Sequence, residues 1–123
     1  MAKVLGLGGV SFTSPEPQRL RAWYARWLGL YAEGPGVEFH PDTMPEGGCA
    51  VLTVLSDDTR YLEPSTRGFM VRLVVDDLEA MLGRARAGGA QVMAETIDDE
   101  YGRCGWFVDP DGNKVELWQP DAA

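Results

Sequence analysis

The stretch from Glu100 to Pro120, EYGRCGWFVDPDGNKVELWQP, leaves a folding chain few options. Its middle, Asp109-Pro110-Asp111-Gly112-Asn113, concentrates turn chemistry. Proline presets φ, an aspartate side chain bonds backbone two residues on, and glycine accepts positive φ. An apolar run, Gly105 to Val108, precedes the turn, and an alternating run, Lys114 to Trp118, follows it. The pattern predicts a β-hairpin with a four- or five-residue loop. In its second strand Val115 and Leu117 share one face, while Lys114, Glu116 and Trp118 share the other. A carboxylate beside an indole on one face marks either a solvated edge strand or one wall of a site. Charged strand residues are most often exposed.

At 123 residues the chain is expected to be one domain, 1–123. No apolar run is long enough to span a bilayer, and Met-Ala-Lys-Val-Leu-Gly lacks the core of a secretion signal. Cys49 and Cys104 stand far apart with no CxxC, which suggests neither a disulfide framework nor a zinc cluster. A cytoplasmic protein with free thiols is the simplest expectation. A net charge of −8 argues against a nucleic-acid surface and against docking on anionic lipid.

In chain order, Val4 to Thr13 alternates, with Val10 and Phe12 on one face and Gly9, Ser11 and Thr13 on the other, predicting a strand. Gly6, Gly8 and Gly9 do not complete G-x-G-x-x-G, because Ser11 stands where the last glycine belongs. Ser14-Pro15-Glu16-Pro17 opens a helix whose Leu20, Trp23, Tyr24, Trp27 and Leu28 form an apolar stripe, stopped by Gly29. That aromatic stripe reads as core. Short β pieces near Val37 to Phe39 and a loop from His40 to Gly48 follow, and the lone His40 cannot build a metal site by itself. Ala50 to Leu55 predicts a strand with Thr53 its one polar residue, and SDDTRYLEPSTR (56–67) a polar linker. Phe69 to Val75 predicts a strand with Val71, Leu73 and Val75 on one face and Met70, Arg72 and Val74 on the other. Asp76-Asp77 caps a second helix, Leu78 to Ala85, ending at Gly88-Gly89. Gln91 to Glu95 predicts a strand, followed by an acidic loop and the hairpin.

The order of strand, helix and further strands occurs twice. Gly9 to Met70 spans 61 residues, Gly29 to Gly89 spans 60, and Thr53 to Glu116 spans 63. In each half one strand face must cover its own amphipathic helix. The other face then carries Gly9, Ser11, Thr13 and Thr53, or Met70, Arg72, Glu116 and Trp118. Two curved sheets with helices outside would enclose these residues in a trough, the default place for a ligand.

The halves, W-Y-x-x-x-L-G-L at Trp23 to Leu30, V-D-D-L at Val75 to Leu78 and F-V-D-P-D-G-N-x-V-E-L-W in the hairpin together resemble the vicinal oxygen chelate superfamily. That group holds glyoxalase I, bleomycin-resistance proteins and extradiol dioxygenases. The resemblance implies an α+β fold of two tandem βαβββ modules forming a curved, incomplete barrel with helices outside. Module one is expected over about 1–56, a linker over about 57–67 and module two over about 68–120. It also implies four metal-ligand positions, which here fall on Gly9, Thr53, Met70 and Glu116. Only the last keeps a metal-binding side chain, since glycine has no donor, methionine is soft and threonine is a poor neutral ligand. The chain is therefore expected to bind no metal and to need no cofactor.

Two functions remain open, beside a pure scaffold with a filled trough. One is a metal-free binding protein, as in the bleomycin-resistance branch, holding a small molecule with Arg72, Thr53, Met70, Trp118, Tyr101, Arg103 and Ser11. The other is an enzyme, lyase, isomerase or dioxygenase-like, with Glu116 as general base and Arg72 or Tyr101 stabilising an enolate. Arg72 is expected to pair with Glu116 across the trough. Trp106 could close one end, and Cys104 is expected to be structural. Expected partners are a small-molecule ligand and a second copy in a homodimer, with neither nucleic acid nor membrane.

Overall fold

Strand pairing concentrates in the second half of the chain. The computed structural model describes residues 7, 9–31, 34 and 36–121. Among them run helix α1 (Pro17–Leu28), a 3-10 turn at Pro41–Thr43, strand β1 (Val71–Val74), helix α2 (Leu78–Ala87) and strands β2 (Gln91–Asp99), β3 (Gly102–Val108) and β4 (Lys114–Gln119). The sheet order is β1-β4-β3-β2, with β1 parallel to β4 and the other pairs antiparallel. The protein is α+β with an open, mixed sheet. No helix among the described residues is long and apolar enough to cross a membrane.

Local chemistry sets the helix ends. Helix α1 begins at Pro17, where a missing N–H costs nothing, and stops at Gly29 in a left-handed turn with φ 73°. Ser14 does not cap the helix directly; its hydroxyl accepts the Glu16 N–H at 3.0 Å. Helix α2 begins as expected, with the Asp77 carboxylate accepting the Ala80 N–H at 3.1 Å. The hairpin also forms as expected, and Gly112 holds φ 88° in its turn. Strand β2 runs on through Asp99 instead of giving way to an acidic loop after Glu95. Residues 96–99 pair with β3 after an irregularity between Val92 and Thr96. A backbone partner outweighs the low strand preference of the acidic residues there.

Leu78, Leu82 and Ala85 of α2 pack on Phe107, Val115 and Leu117 of the sheet. Gly105 lets the helix lie close: a Cβ there would meet Leu82 Cδ1 at 2.8 Å. Burial of Phe107, Leu78, Leu117 and Val115 contributes roughly 1.5–3 kcal/mol each. Helix α1 joins this same core through Leu28. The Trp23 ring lies 5.9 Å from Phe107, and its indole N–H donates to the Gly88 carbonyl at 2.9 Å.

The first half departs from expectation here. Of the strand predicted over Val4 to Thr13, residues 4–6 and 8 lie outside the described residues, and 7 and 9–13 join no ladder. Neither 37–39 nor 50–55 forms a strand. Val10 is 58% exposed and Val54 90% exposed. Alternation makes a segment fit for a strand, but a strand needs a hydrogen-bonded neighbour. Without a sheet of its own to cover, α1 packs beside α2. One βαβββ unit plus α1 is what forms among the described residues.

Candidate functional site

The sheet face opposite α2 carries Arg72 on β1, Lys114, Glu116 and Trp118 on β4, and Cys104 and Trp106 on β3, as register and alternation require. Strand β4 is central, and Lys114 through Trp118 are all buried, so both its faces are covered. Glu116 is 4% exposed. A buried carboxylate needs partners, and it has three. Arg72 Nε lies 2.5 Å from Oε2, the Trp106 indole N–H donates to Oε1 at 3.1 Å, and the Tyr61 hydroxyl donates to the same oxygen. Arg72 and Glu116 are direct neighbours on the parallel strands, side by side instead of facing across a trough. The guanidinium lies 4.5 Å from the centre of the Trp118 ring, a cation–π contact that holds it over the indole.

Residues 56–67 are more than a linker, because they run over this face. Besides the Tyr61 hydroxyl, the Tyr61 carbonyl accepts from the Lys114 ammonium. Ser65 donates to the Gly112 carbonyl at 2.6 Å, and Arg67 to the Asp111 carbonyl at 3.1 Å. Burial, then the bond to Glu116, raises the Tyr61 hydroxyl well above the usual tyrosine range. It therefore remains a donor. Burial lowers the affinity of Lys114 for its proton, with Glu95, Glu116 and Glu63 opposing. Burial and the neighbouring Glu116 raise the Cys104 thiol, partly offset by Arg72. A raised thiol is a poor nucleophile, in keeping with the structural role expected for Cys104.

The hairpin turn ties the site to the rest of the molecule. Asp109, 3% exposed, accepts the backbone N–H groups of Asp111 and Asn113, both at 2.9 Å, through Oδ1. Its Oδ2 accepts the Tyr24 hydroxyl from α1 at 2.8 Å and the Asn113 amide at the same distance. Burial, followed by Asp109, raises the Tyr24 hydroxyl far above its ordinary range. Ser14 donates to the Asp111 carboxylate. Helix α1 and the segment 56–67 thus both meet the turn that sets the start of β4.

Of the residues named from sequence, the structure brings together Glu116, Arg72 and Trp118, and places half-buried Met70 just before β1. It does not bring in Thr53 or Ser11, which are exposed in unpaired segments. The Tyr101 side chain is 69% exposed; only its carbonyl takes part, accepting the Trp118 indole N–H at 2.9 Å. Arg103 faces the helices instead of the site. It alternates with Cys104, and its guanidinium pairs with Glu79 on α2. Tyr61 was not foreseen as a site residue. The one available signal was an aromatic, Tyr61, inside an otherwise polar stretch.

The superfamily's metal positions do not fit a metal here. Gly9 and Thr53 are exposed and far from sufficient as donors, and both Glu116 oxygens are already engaged. Among the described residues no group of three or more His, Cys, Asp or Glu side chains is arranged to hold an ion.

A model of the glyoxalase-like domain family matches residues 9–118. A search of curated proteins finds no match. Among solved structures, a "conserved domain protein" is similar over 95% of this chain and 100% of its own, at TM-score 0.58 and 14% identity. A protein of unknown function from Agrobacterium tumefaciens str. C58 is similar over 94% and 98%, at TM-score 0.50 and 20% identity. Both likenesses concern fold. A glyoxalase / bleomycin resistance protein from Catenulispora Acidiphila DSM 44928 shares 30% identity over 42% of this chain and 47% of its own, at TM-score 0.34. With the family match running from the first half through to Trp118, the chain belongs to the glyoxalase-like domain family of the vicinal oxygen chelate superfamily.

Proposed function

We propose that the protein is a metal-independent binding module for a small organic molecule, held against the sheet face that carries Arg72, Glu116 and Trp118. The observation that supports this best is the state of Glu116. The single side chain kept from the superfamily's metal set is filled by an arginine, a tyrosine hydroxyl and an indole N–H. A carboxylate so engaged is neither available to a cation nor placed to take a proton from substrate, which weighs against the general-base reading. A guanidinium stacked on a buried indole and a half-buried methionine instead offer flat contact area with one polar handle.

The finer architecture belongs to the same proposal. Segments 9–13 and 50–55, unpaired in the single chain, would pair in the ligand-bound or dimeric protein as a second βαβββ module that brings Thr53 and Ser11 to the opposite wall, with module boundaries near 56 and 68. Support comes from the evenly offset repeat and from a family match that begins at residue 9. Exposed apolar residues such as Leu52 and Val54 support association with a second copy in a homodimer. Free Cys49 and Cys104 support a cytoplasmic setting.

A thermal-shift panel of small aromatic and amphipathic compounds alongside Mg, Mn, Fe, Ni and Zn salts tests the reading. A ligand at a hundredfold excess over its Kd stabilises by roughly 2.7 kcal/mol, several degrees in melting temperature. Stabilisation by organic compounds and not by metals is expected. A large shift with one divalent metal, abolished by Glu116→Gln, would overturn metal independence.

A further inference from the structure

The phenol of Tyr61 sits in the site as a ligand would. Its hydroxyl donates to Glu116 and lies 3.2 Å from the Trp106 indole nitrogen, which donates to it. Its ring meets Trp106 edge to face, with centroids 6.1 Å apart and planes at 82°. The Lys114 ammonium stands 5.0 Å from the ring centre. Acceptor, donor, aromatic edge and cation over the π face satisfy every part of one phenol. The residue that makes these contacts is partly open to solvent and lies outside the sheet and helices. Tyr61 is 39% exposed and belongs to a run of turns, fastened through the bonds of Ser65, Arg67 and Lys114 to the hairpin and β4.

Resting on the binding reading above, we propose that Tyr61 is a resident stand-in and that the free ligand is an uncharged phenol, which displaces Tyr61 and takes over its hydrogen bond to Glu116. The chemistry of the wall sets that class. Glu116 is locked to Arg72 as an acceptor, so the incoming group must bring a hydrogen-bond donor. A ligand carboxylate would be repelled by Glu116, and a plain hydrocarbon ring would leave its Oε1 one donor short. Because Tyr61 competes for the same place, the intact protein binds its ligand more weakly than the emptied wall does.

The test uses p-cresol, the tyrosine side chain as a free molecule, against toluene, the same ring without the hydroxyl. Both are titrated by tryptophan fluorescence and thermal shift into the wild type, Tyr61→Ala and Tyr61→Phe. Tyr61→Ala is expected to bind p-cresol about tenfold or more tighter than toluene, the worth of one hydrogen bond to a charged acceptor. The wild type is expected to bind p-cresol about tenfold more weakly than Tyr61→Ala. Tyr61→Phe, which keeps the ring and serves if Tyr61→Ala fails to fold, is expected to fall between them. Equal binding of p-cresol and toluene by the variants, or equal p-cresol binding by wild type and variants, overturns the proposal. If other compounds stabilise the wild type while p-cresol leaves all three proteins unchanged, the phenol assignment falls and the binding reading stands. If no compound stabilises any of them, both fall.

Discussion

A buried carboxylate with three donors divides its stabilisation among them, and the division can be measured. Arg72 is partly open to water, with 37% of its side chain exposed against 6% for Glu116, so the pair is worth less than a fully buried one. Arg72→Met is expected to cost roughly 3 kcal/mol in urea unfolding, because it strands a buried carboxylate, and Glu116→Gln somewhat less, about 2 kcal/mol, since water can reach the stranded guanidinium. The double mutant is expected to show about 1–2 kcal/mol of coupling. Coupling of zero would mean that the contact is not maintained in solution. Which residues face the site was legible here because strand phase is a local property. Val71 and Leu73 fix the phase of Arg72, and Val115 and Leu117 that of Glu116. That the two would stand side by side was not legible, because it depends on β1 joining β4, a pairing between distant segments.

Among the elements, the hairpin, α2 and α1 were readable for the same reason: their signals lie within a few residues. The Asp109 turn, the Asp77 cap and the Gly29 stop all act over one turn of chain. The segment 56–67 read as a linker because its polar composition hides one aromatic contact made across the fold. The strands expected at Val4 to Thr13 and Ala50 to Leu55 had the alternation or the apolar run that suits a strand, but pattern carries no information about whether an edge is present to receive them. The hydroxyls that bind α1 and the 56–67 segment to the sheet make a pH prediction. Tyr24 and Tyr61 are both raised in the folded protein, by burial first and then by Asp109 and Glu116 respectively. Their contribution is therefore fully present below the ordinary tyrosine value of 10.0 and is lost as pH rises past it, because the unfolded chain ionises first. Lys114, lowered by burial, works in the opposite direction: its cost is relieved as pH approaches its ordinary 10.5. With two raised tyrosines against one lysine, urea stability is expected to fall from pH 9 to pH 11. The fall should be shallower in Tyr24→Phe/Tyr61→Phe, even though that variant starts about 1–3 kcal/mol less stable at neutral pH. Parallel slopes in the two proteins would contradict this.

For the molecule as a whole, the first half exposes apolar side chains that a monomer has little reason to display, Leu52 at 79% among them. Multi-angle light scattering at micromolar concentration is expected to give twice the 13.5 kDa chain mass, and a monomer mass at every concentration would remove the dimer. The sheet order also has a kinetic consequence. Strands β2, β3 and β4 follow one another and pair as neighbours in sequence, so their contacts close short loops. Strand β1 reaches β4 only after the helix and both other strands have been threaded between them. Closing that long loop gives up the most chain entropy before any contact returns it. Arg72 arrives on β1, so the ion pair is expected to complete in the last step of assembly. A refolding molecule that has regained its hairpins is expected to lack its site still, and Trp118, stacked beneath Arg72, would report that step by its fluorescence once the signals of Trp23, Trp27 and Trp106 are removed by substitution.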